Sequence, residues 1–171
     1  MDSDNKPTKI SDLLFTAAKK WPEQPAISFR GRTQNWLETK NRCHAAATIL
    51  QRAGVKSGDR VAFLGLNSNV CFESYYSPAI LGATMVPINY RLAFREMVEC
   101  VQDCTPTVLI VDENYLTEAR QLQEGCDSVK TLIACGDNTA PDGMLSYEQH
   151  INEVIRTNVY CEISPSVDDE P

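Results

Sequence analysis

Apolar and polar residues follow one another in blocks that predict strands and helices in turn. From residue 60 onward, short apolar runs are each followed by a stretch with apolar residues at helical spacing. Four strand–helix units result, with strands at 60–65, 84–88, 107–111 and 130–134 and helices at about 68–81, 93–103, 114–124 and 146–156. Near-continuous apolar strands that alternate with helices predict an α/β fold, with a mostly parallel sheet and helices on both faces.

The first 59 residues predict two helices on either side of a small β-hairpin. The first helix spans 10–21, with Ser11 as its cap, and prolines follow it. Segments 26–29 and 33–36 flank the turn Arg30-Gly31-Arg32, which predicts the hairpin. The second helix begins after Asn35, because Glu38 stands three residues later as in a capping box. Gly54 is expected to end it.

Two helices carry more specific expectations. Pro78 falls inside the helix at 68–81, where it removes a backbone hydrogen bond, so we expect the helix to break there. The helix at 93–103 is expected to turn four apolar residues inward: Phe94, Met97, Val98 and Val101.

Composition and charge narrow the class of protein. The chain has 171 residues, 43% hydrophobic and 23% charged, with a net charge of −7, which is ordinary for a globular domain. A chain without a basic stripe is not expected to bind nucleic acid. Residues 1–158 are interpreted as one α/β subdomain, and residues 159–171, which end in a cluster of acids, as a linker.

Cysteine usage and the N-terminus bear on the compartment. The seven cysteines include no C-x-x-C pair, and the polar segment 1–9 has no apolar stretch typical of a signal peptide. No apolar run is long enough to span a membrane. Free thiols, a reducing compartment and a cytoplasmic location are therefore expected.

The residues alone carry little chemistry. Neither G-x-x-x-x-G-K-[ST], G-x-G-x-x-G nor G-x-S-x-G occurs. His44 and His150 fall on predicted helices, where surface or boundary positions are typical. Cys100 and Cys104 lie four apart on one helix face, but a metal site needs two further ligands, so we interpret them as small, partly buried apolar residues. No catalytic residue and no metal ligand is expected.

A longer stretch changes this interpretation. Residues 54–92 read G-V-K-S-G-D-R-V-A-F-L-G-L-N-S-N-V, then L-G-A-T-M-V-P-I-N-Y-R-L at their end, and resemble the N-terminal region of the adenylate-forming superfamily. That superfamily contains acyl-CoA synthetases, peptide-synthetase adenylation domains and beetle luciferases. Residues 35–38 look like the preceding family element Thr-Tyr-x-Glu-Leu, with Asn35 in place of the threonine and Thr39 in place of the leucine. Residues 21–27 resemble the opening strand, and the resemblance covers about two thirds of the chain.

The form P-I-N-Y-R-L at 87–92 resembles acyl- and aryl-CoA ligases more than amino-acid adenylation domains, which more often carry P-[LI]-D-x-x-x-P. The resemblance implies the N-terminal subdomain of an acyl-CoA synthetase-like fold. It also implies an enzyme that activates a carboxylate, with fatty acids as the favoured class, to an acyl-adenylate with ATP and Mg²⁺ and then forms a thioester with CoA. The family's phosphate loop, its acidic ribose contact and its catalytic lysine lie further along such chains.

The segment itself is therefore expected to be an inactive N-terminal fragment, whose partners are a carboxylate substrate and the remainder of its own chain. Two alternatives stay open: a stand-alone binding or regulatory module with the inherited half-fold, and an amino-acid-adenylating enzyme. The acidic, proline-ended tail favours the fragment over the first, and the N-x-R-L form favours it over the second.

One family role falls on this segment. Arg91 resembles an arginine that contacts the CoA nucleotide phosphates in some aryl-CoA ligases. A guanidinium suits a phosphate because it is planar, permanently charged and a multiple donor. The alternative is that Arg91 pairs with a carboxylate or with carbonyls at a strand end.

Overall fold

A computed structural model describes residues 9–136 and 140–163 of the chain. Within these ranges the elements are, in chain order, α1 (Ile10–Lys20), β1 (Pro25–Phe29), β2 (Arg32–Asn35), α2 (Trp36–Arg52), β3 (Arg60–Leu64), α3 (Asn69–Ile80), β4 (Thr84–Ile88), α4 (Phe94–Cys104), β5 (Val108–Asp112), a 3₁₀ turn (Glu113–Tyr115), α5 (Leu116–Gly125), β6 (Thr131–Cys135), β7 (Leu145–Ser146) and α6 (Tyr147–Thr157). The predicted strands correspond to β3–β6 within one residue at each end.

The main sheet is parallel and has the order β4-β3-β5-β6-β7. Successive strand residues point to opposite faces. Val61 and Phe63 therefore join one apolar cluster with α2, α3 and α6, while Ala62 and Leu64 join another with α4 and α5. Helices cover both faces, which confirms the predicted fold class.

The two edges of this sheet differ from its centre. Edge strand β4 contains Pro87, opposite Phe63 of β3. The other edge, β7, is only two residues long and pairs with β6. The sequence pattern does not predict β7, because two residues are too few for a recognisable alternation.

The predicted hairpin is confirmed as an antiparallel pair of β1 and β2. Arg30 and Gly31 form its turn, with φ values of 49° and 76°. Two consecutive residues with positive φ are characteristic of the tight turns that match the twist of a hairpin.

Helix α2 is capped as predicted, whereas α1 begins at the predicted residue, Ile10, but has a different cap. Asn35 Oδ1 accepts the Glu38 N–H at 2.8 Å, and a Glu38 carboxylate oxygen accepts the Asn35 N–H at 2.9 Å. At α1 the Lys9 N–H donates to Asp12 Oδ2 at 2.9 Å. Ser11 lies inside the helix and is buried, so its prediction as the cap is wrong.

Two expectations about helices are corrected. Helix α3 runs through Pro78 to Ile80 without a break. Pro78 lies in the last turn, so its missing N–H removes one hydrogen bond near the end of the helix, and its carbonyl accepts the N–H groups of Leu81 and Ala83. Phe94 is 39% exposed rather than inward, because it is the first residue of α4 and buried packing starts one turn later at Met97.

The chain after α6 turns back onto α2. Asn158 has a φ of 53° and ends the helix. The Cys161 N–H then donates to Thr48 Oγ1 at 2.9 Å, and Cys161 is buried. The start of the predicted linker therefore packs against the subdomain, while a linker role for residues 159–171 stays a prediction.

Candidate functional site

The carboxyl ends of the parallel strands form one edge, where α/β sheets commonly bind ligands. The topological switch lies between β3 and β5, because β4 and β6 lie on opposite sides of this pair. Gly65 follows β3 and Asp112 ends β5. A Cβ atom on Gly65 would lie 2.5 Å from the Asp112 Cβ. The two strand ends are therefore in close contact at the switch point.

Open space lies beside this point, between the hairpin and the ends of β6 and β7. A cavity of about 490 Å³ is lined by Arg30, Arg32 and Gln34 of the hairpin, by Asn69 at the start of α3, and by Glu148 in the first turn of α6. This volume is in the range of small-molecule sites. The wall carries basic, amide and acidic groups, so it suits a polar molecule better than an apolar one.

A buried charge cluster connects this cavity to the core. Arg42 of α2 donates to Glu73 of α3 at 2.6 and 3.2 Å, and to Glu148 at 2.6 and 3.0 Å. The Tyr147 hydroxyl donates to Glu73 at 2.8 Å. The Glu73 side chain is 0% exposed, whereas that of Glu148 is 32% exposed. The cluster fixes the Glu148 carboxylate in the cavity wall and joins α2, α3 and α6.

Burial sets the protonation behaviour of the cluster. Burial raises the pKa of Glu73, although Arg42 and Tyr147 act to lower it. Burial lowers the pKa of Arg42, but its hydrogen bonds to Glu148 and Glu73 and the charge of Glu73 outweigh this effect, so the pKa is raised overall. The arginine therefore stays charged, and its role is to neutralise and position two carboxylates.

Sequence reasoning missed this cluster. Its members come from three helices, and the pairs are 31 and 106 residues apart, so no local spacing connects them. The one available signal is Glu73, an acid in the otherwise uncharged helix Asn69–Ile80. Acids are rarely fully buried unless they are paired, so a buried partner is the physical consequence of that position.

The two histidines are held by backbone carbonyls. His44 Nε2 lies 2.9 Å from the Cys161 carbonyl oxygen, and its ring stacks on Tyr160 with 4.6 Å between centroids. Burial lowers the pKa of His44, against the raising effect of the Cys161 carbonyl. His150 Nδ1 lies 2.7 Å from the Ser146 carbonyl oxygen. His44 thus fastens the returning segment to α2.

Arg91 lies on the turn that follows β4, at the same carboxyl edge of the sheet. Its N–H donates to Asn89 Oδ1 at 3.0 Å, and the side chain is exposed. The guanidinium lies 5.5 Å from the Tyr90 ring centroid, and the Tyr90 ring lies 6.1 Å from that of Tyr115. In the part of the chain that the structure describes, the guanidinium makes no ion pair with a carboxylate and no hydrogen bond to a strand-end carbonyl.

The seven cysteines are free thiols. Cys100 is exposed and Cys104 is half-buried, and both lie on α4. Among residues 9–136 and 140–163, no group of three or more His, Cys, Asp or Glu side chains is arranged to hold a metal ion. No helix in the same ranges is both long and apolar enough to cross a membrane.

Comparisons with known proteins agree with this architecture. A family model described as "AMP-binding enzyme" matches residues 14–167. The chain is 32% identical over 140 residues to the indoleacetate–CoA ligase of Aromatoleum aromaticum, which covers 82% of this chain and 27% of the relative. It is 28% identical over 133 residues to a fatty acid–acyl-carrier-protein ligase of Streptomyces coeruleorubidus, covering 78% of this chain and 25% of the relative.

A solved structure extends the likeness to the fold. A protein described as a long-chain-fatty-acid CoA ligase from Rhodopseudomonas palustris superposes with a TM-score of 0.77 at 26% identity, over 84% of this chain and 36% of that one. The chain spans about a quarter of the length of the curated relatives that it matches.

Proposed function

Because the chain belongs to the AMP-binding enzyme family, we propose that it is the N-terminal region of an ATP-dependent acyl-CoA synthetase. In this proposal the complete protein joins a carboxylate to AMP, releases pyrophosphate and transfers the acyl group to CoA. Fatty acids are the proposed substrates. The complete protein uses ATP, Mg²⁺ and CoA in the cytoplasm, and we assign no residue of this segment to ATP or Mg²⁺.

The observation that carries the proposal is the position of P-I-N-Y-R-L at residues 87–92. This segment spans the end of β4 and the turn after it, so it puts Arg91 on the carboxyl edge of the sheet. The likeness to a CoA ligase over 140 residues supports the same reaction class. Together these observations favour a CoA ligase over a stand-alone module and over an amino-acid-adenylating enzyme.

The reaction class is tested on the complete reading frame. The coding sequence is followed past Pro171, the longer product is purified, and AMP release is measured with indoleacetate, a long-chain fatty acid or an amino acid, with and without CoA. We expect thioester formation with the fatty acid and dependence on CoA. Activity with the amino acid but with neither indoleacetate nor the fatty acid would favour the adenylation alternative. A stop codon after Pro171 would favour the stand-alone module. Residues 1–171 alone are expected to give no ATP–pyrophosphate exchange.

Arg91 is proposed to bind a phosphate of the CoA nucleotide. Its exposed guanidinium, without a carboxylate partner in the described ranges, is available to a phosphate. In the complete protein, Arg91→Ala should raise the KM for CoA about tenfold or more, since charge-assisted hydrogen bonds contribute roughly 1.5–3 kcal/mol. The KM for ATP should not change.

A matched control is Arg95→Ala, which removes the same charge four residues away on α4. The Arg95 side chain is 90% exposed and pairs with Glu99 at 3.2 Å. If both variants change the KM for CoA equally, general electrostatic attraction explains the effect and Arg91 has no specific role.

A further inference from the structure

Two thiols lie on one face at the end of α4, away from the carboxyl edge described above. Cys100 and Cys104 are four residues apart, and the helix ends at Cys104. Cys100 is exposed, and Cys104 is half-buried with its thiol 3.9 Å from the Val101 carbonyl oxygen. Burial is the main cause of the raised pKa of Cys104, and Cys100 also acts to raise it.

The end of the helix is held in place by a residue outside it. Arg60 Nε donates to the Cys104 carbonyl at 2.7 Å, and Arg60 Nη2 donates to the Thr105 carbonyl at 3.1 Å and to its hydroxyl at 2.6 Å. Thr105 has a φ of 44° and ends the helix in the left-handed region. The spacing between the two thiols is therefore set by regular helix geometry up to Cys104.

The distance between the two thiols limits the kinds of bond that can join them. Side chains four apart on a helix have Cβ atoms about 5–6 Å apart. A disulfide requires roughly 3.5–4.5 Å, so direct S–S bond formation would distort the last turn. A single bridging atom between the sulfurs spans the longer distance. A structural zinc ion takes four ligands, and no group of three candidate ligands exists in the described residues. The bridging atom must therefore be one that binds with only two thiolate ligands from the protein.

We propose that Cys100 and Cys104 form a dithiol binding site for trivalent organoarsenicals. Soft centres prefer thiolate ligands, and an organoarsenic(III) oxide needs two of them. Each sulfur forms one As–S bond, the arsenic–oxygen bond breaks, and both thiol protons leave with the oxygen as one water molecule. No oxidation or reduction takes place, so no further reactant is needed.

The exposure of the pair supports stepwise binding. The exposed Cys100 reacts first, and the half-buried Cys104 then closes the ring. The second step is intramolecular, so it proceeds at an effective concentration in the millimolar range or above. The neighbouring side chains Glu99 and Asp103 are exposed acids, which do not repel a neutral reagent.

The test uses phenylarsine oxide and the whole 171-residue chain. Intact-mass analysis should show one arsenical bound per chain with the loss of two free thiols, and 2,3-dimercaptopropanol should reverse it far more effectively than 2-mercaptoethanol. Cys100→Ser and Cys104→Ser should each weaken binding at least tenfold. The half-buried position of Cys104 makes a melting curve of each variant necessary, and Cys104→Ala serves as a second variant at the same position.

The matched control is Cys71→Ser. Cys71 lies on α3 and is half-buried like Cys104, so this variant removes one thiol of similar exposure and leaves the proposed pair intact. Unchanged binding by this variant supports the site on α4. If Cys71→Ser abolishes binding, or if folded Cys104→Ser and Cys104→Ala bind as tightly as the unaltered chain, the proposed site is wrong.

Discussion

Replacing Arg42 with methionine tests the buried charge cluster. In the described chain, Glu73 would keep only the Tyr147 hydroxyl as a side-chain donor, and its carboxylate would remain fully buried. Removal of one partner from a buried ion pair destabilises proteins by about 3–5 kcal/mol, because the other charge is left uncompensated. The Glu148 carboxylate, 32% exposed, would recover part of its lost contact from water.

The expected loss in the free energy of unfolding is large for a chain of this size. A domain is typically stable by about 5–15 kcal/mol, so Arg42→Met should remove a third or more of a mid-range value. At about 2–4 °C per kcal/mol, the melting temperature should fall by roughly 10 °C. Urea titration followed by circular dichroism gives the free energy of unfolding, and thermal melts give the temperature shift.

Two further variants make the test specific. Arg95→Met breaks the exposed pair of Arg95 with Glu99, where the side chains are 90% and 62% exposed, and should change stability by no more than about 0.5 kcal/mol. Replacing Arg42 and Glu73 together with methionine should destabilise less than Arg42→Met alone, because no fully buried charge is left without a partner and the remaining carboxylate, Glu148, is 32% exposed to water. If Arg42→Met and Arg95→Met prove equally stable, the cluster does not hold the three helices together.

Three other predictions concern single positions. Asn35→Ala removes the acceptor at the start of α2 and should cost about 1 kcal/mol in urea unfolding. Gly65→Ala should cost about 1–3 kcal/mol, because its Cβ would lie 2.5 Å from that of Asp112, whereas Gly125→Ala, with nothing within 4 Å, should cost nothing measurable. His44 has a lowered pKa in the folded chain, so the unfolded chain binds its proton at higher pH. Stability should therefore decrease as the pH falls from about 6.5 toward the lowered value, and a His44→Gln variant should lack this decrease.

Features with a local cause could be predicted from the sequence, and features with a distant cause could not. The capping pair Asn35 and Glu38 acts over three residues, so its letters alone predict the start of α2. The partners of Glu73 and the contact between Gly65 and Asp112 exist only after the strands and helices have assembled. Local patterns therefore predicted the order of the fold, while the charge cluster and the cavity beside it required the assembled structure.

The same distinction explains the corrections. Pro78 carries a strong local signal, but its effect depends on how many helical residues follow it, and only two do. Phe94 has the right spacing for an inward position, but packing begins one turn later. For Arg91, the resemblance gave the proposed role, and the structure adds an exposed position at the carboxyl edge.

The two edge strands of the main sheet, β4 and β7, affect whether a strand of another copy can pair with the sheet. An open edge strand offers a row of backbone donors and acceptors to any extended segment, and this is the usual route to edge-to-edge aggregation. In β4 the proline at 87 lacks the N–H that an incoming strand would need, and β7 offers only two residues. An added strand would therefore lack one hydrogen bond at position 87 on the β4 side, and on the other side it would find only the two residues of β7 to pair with.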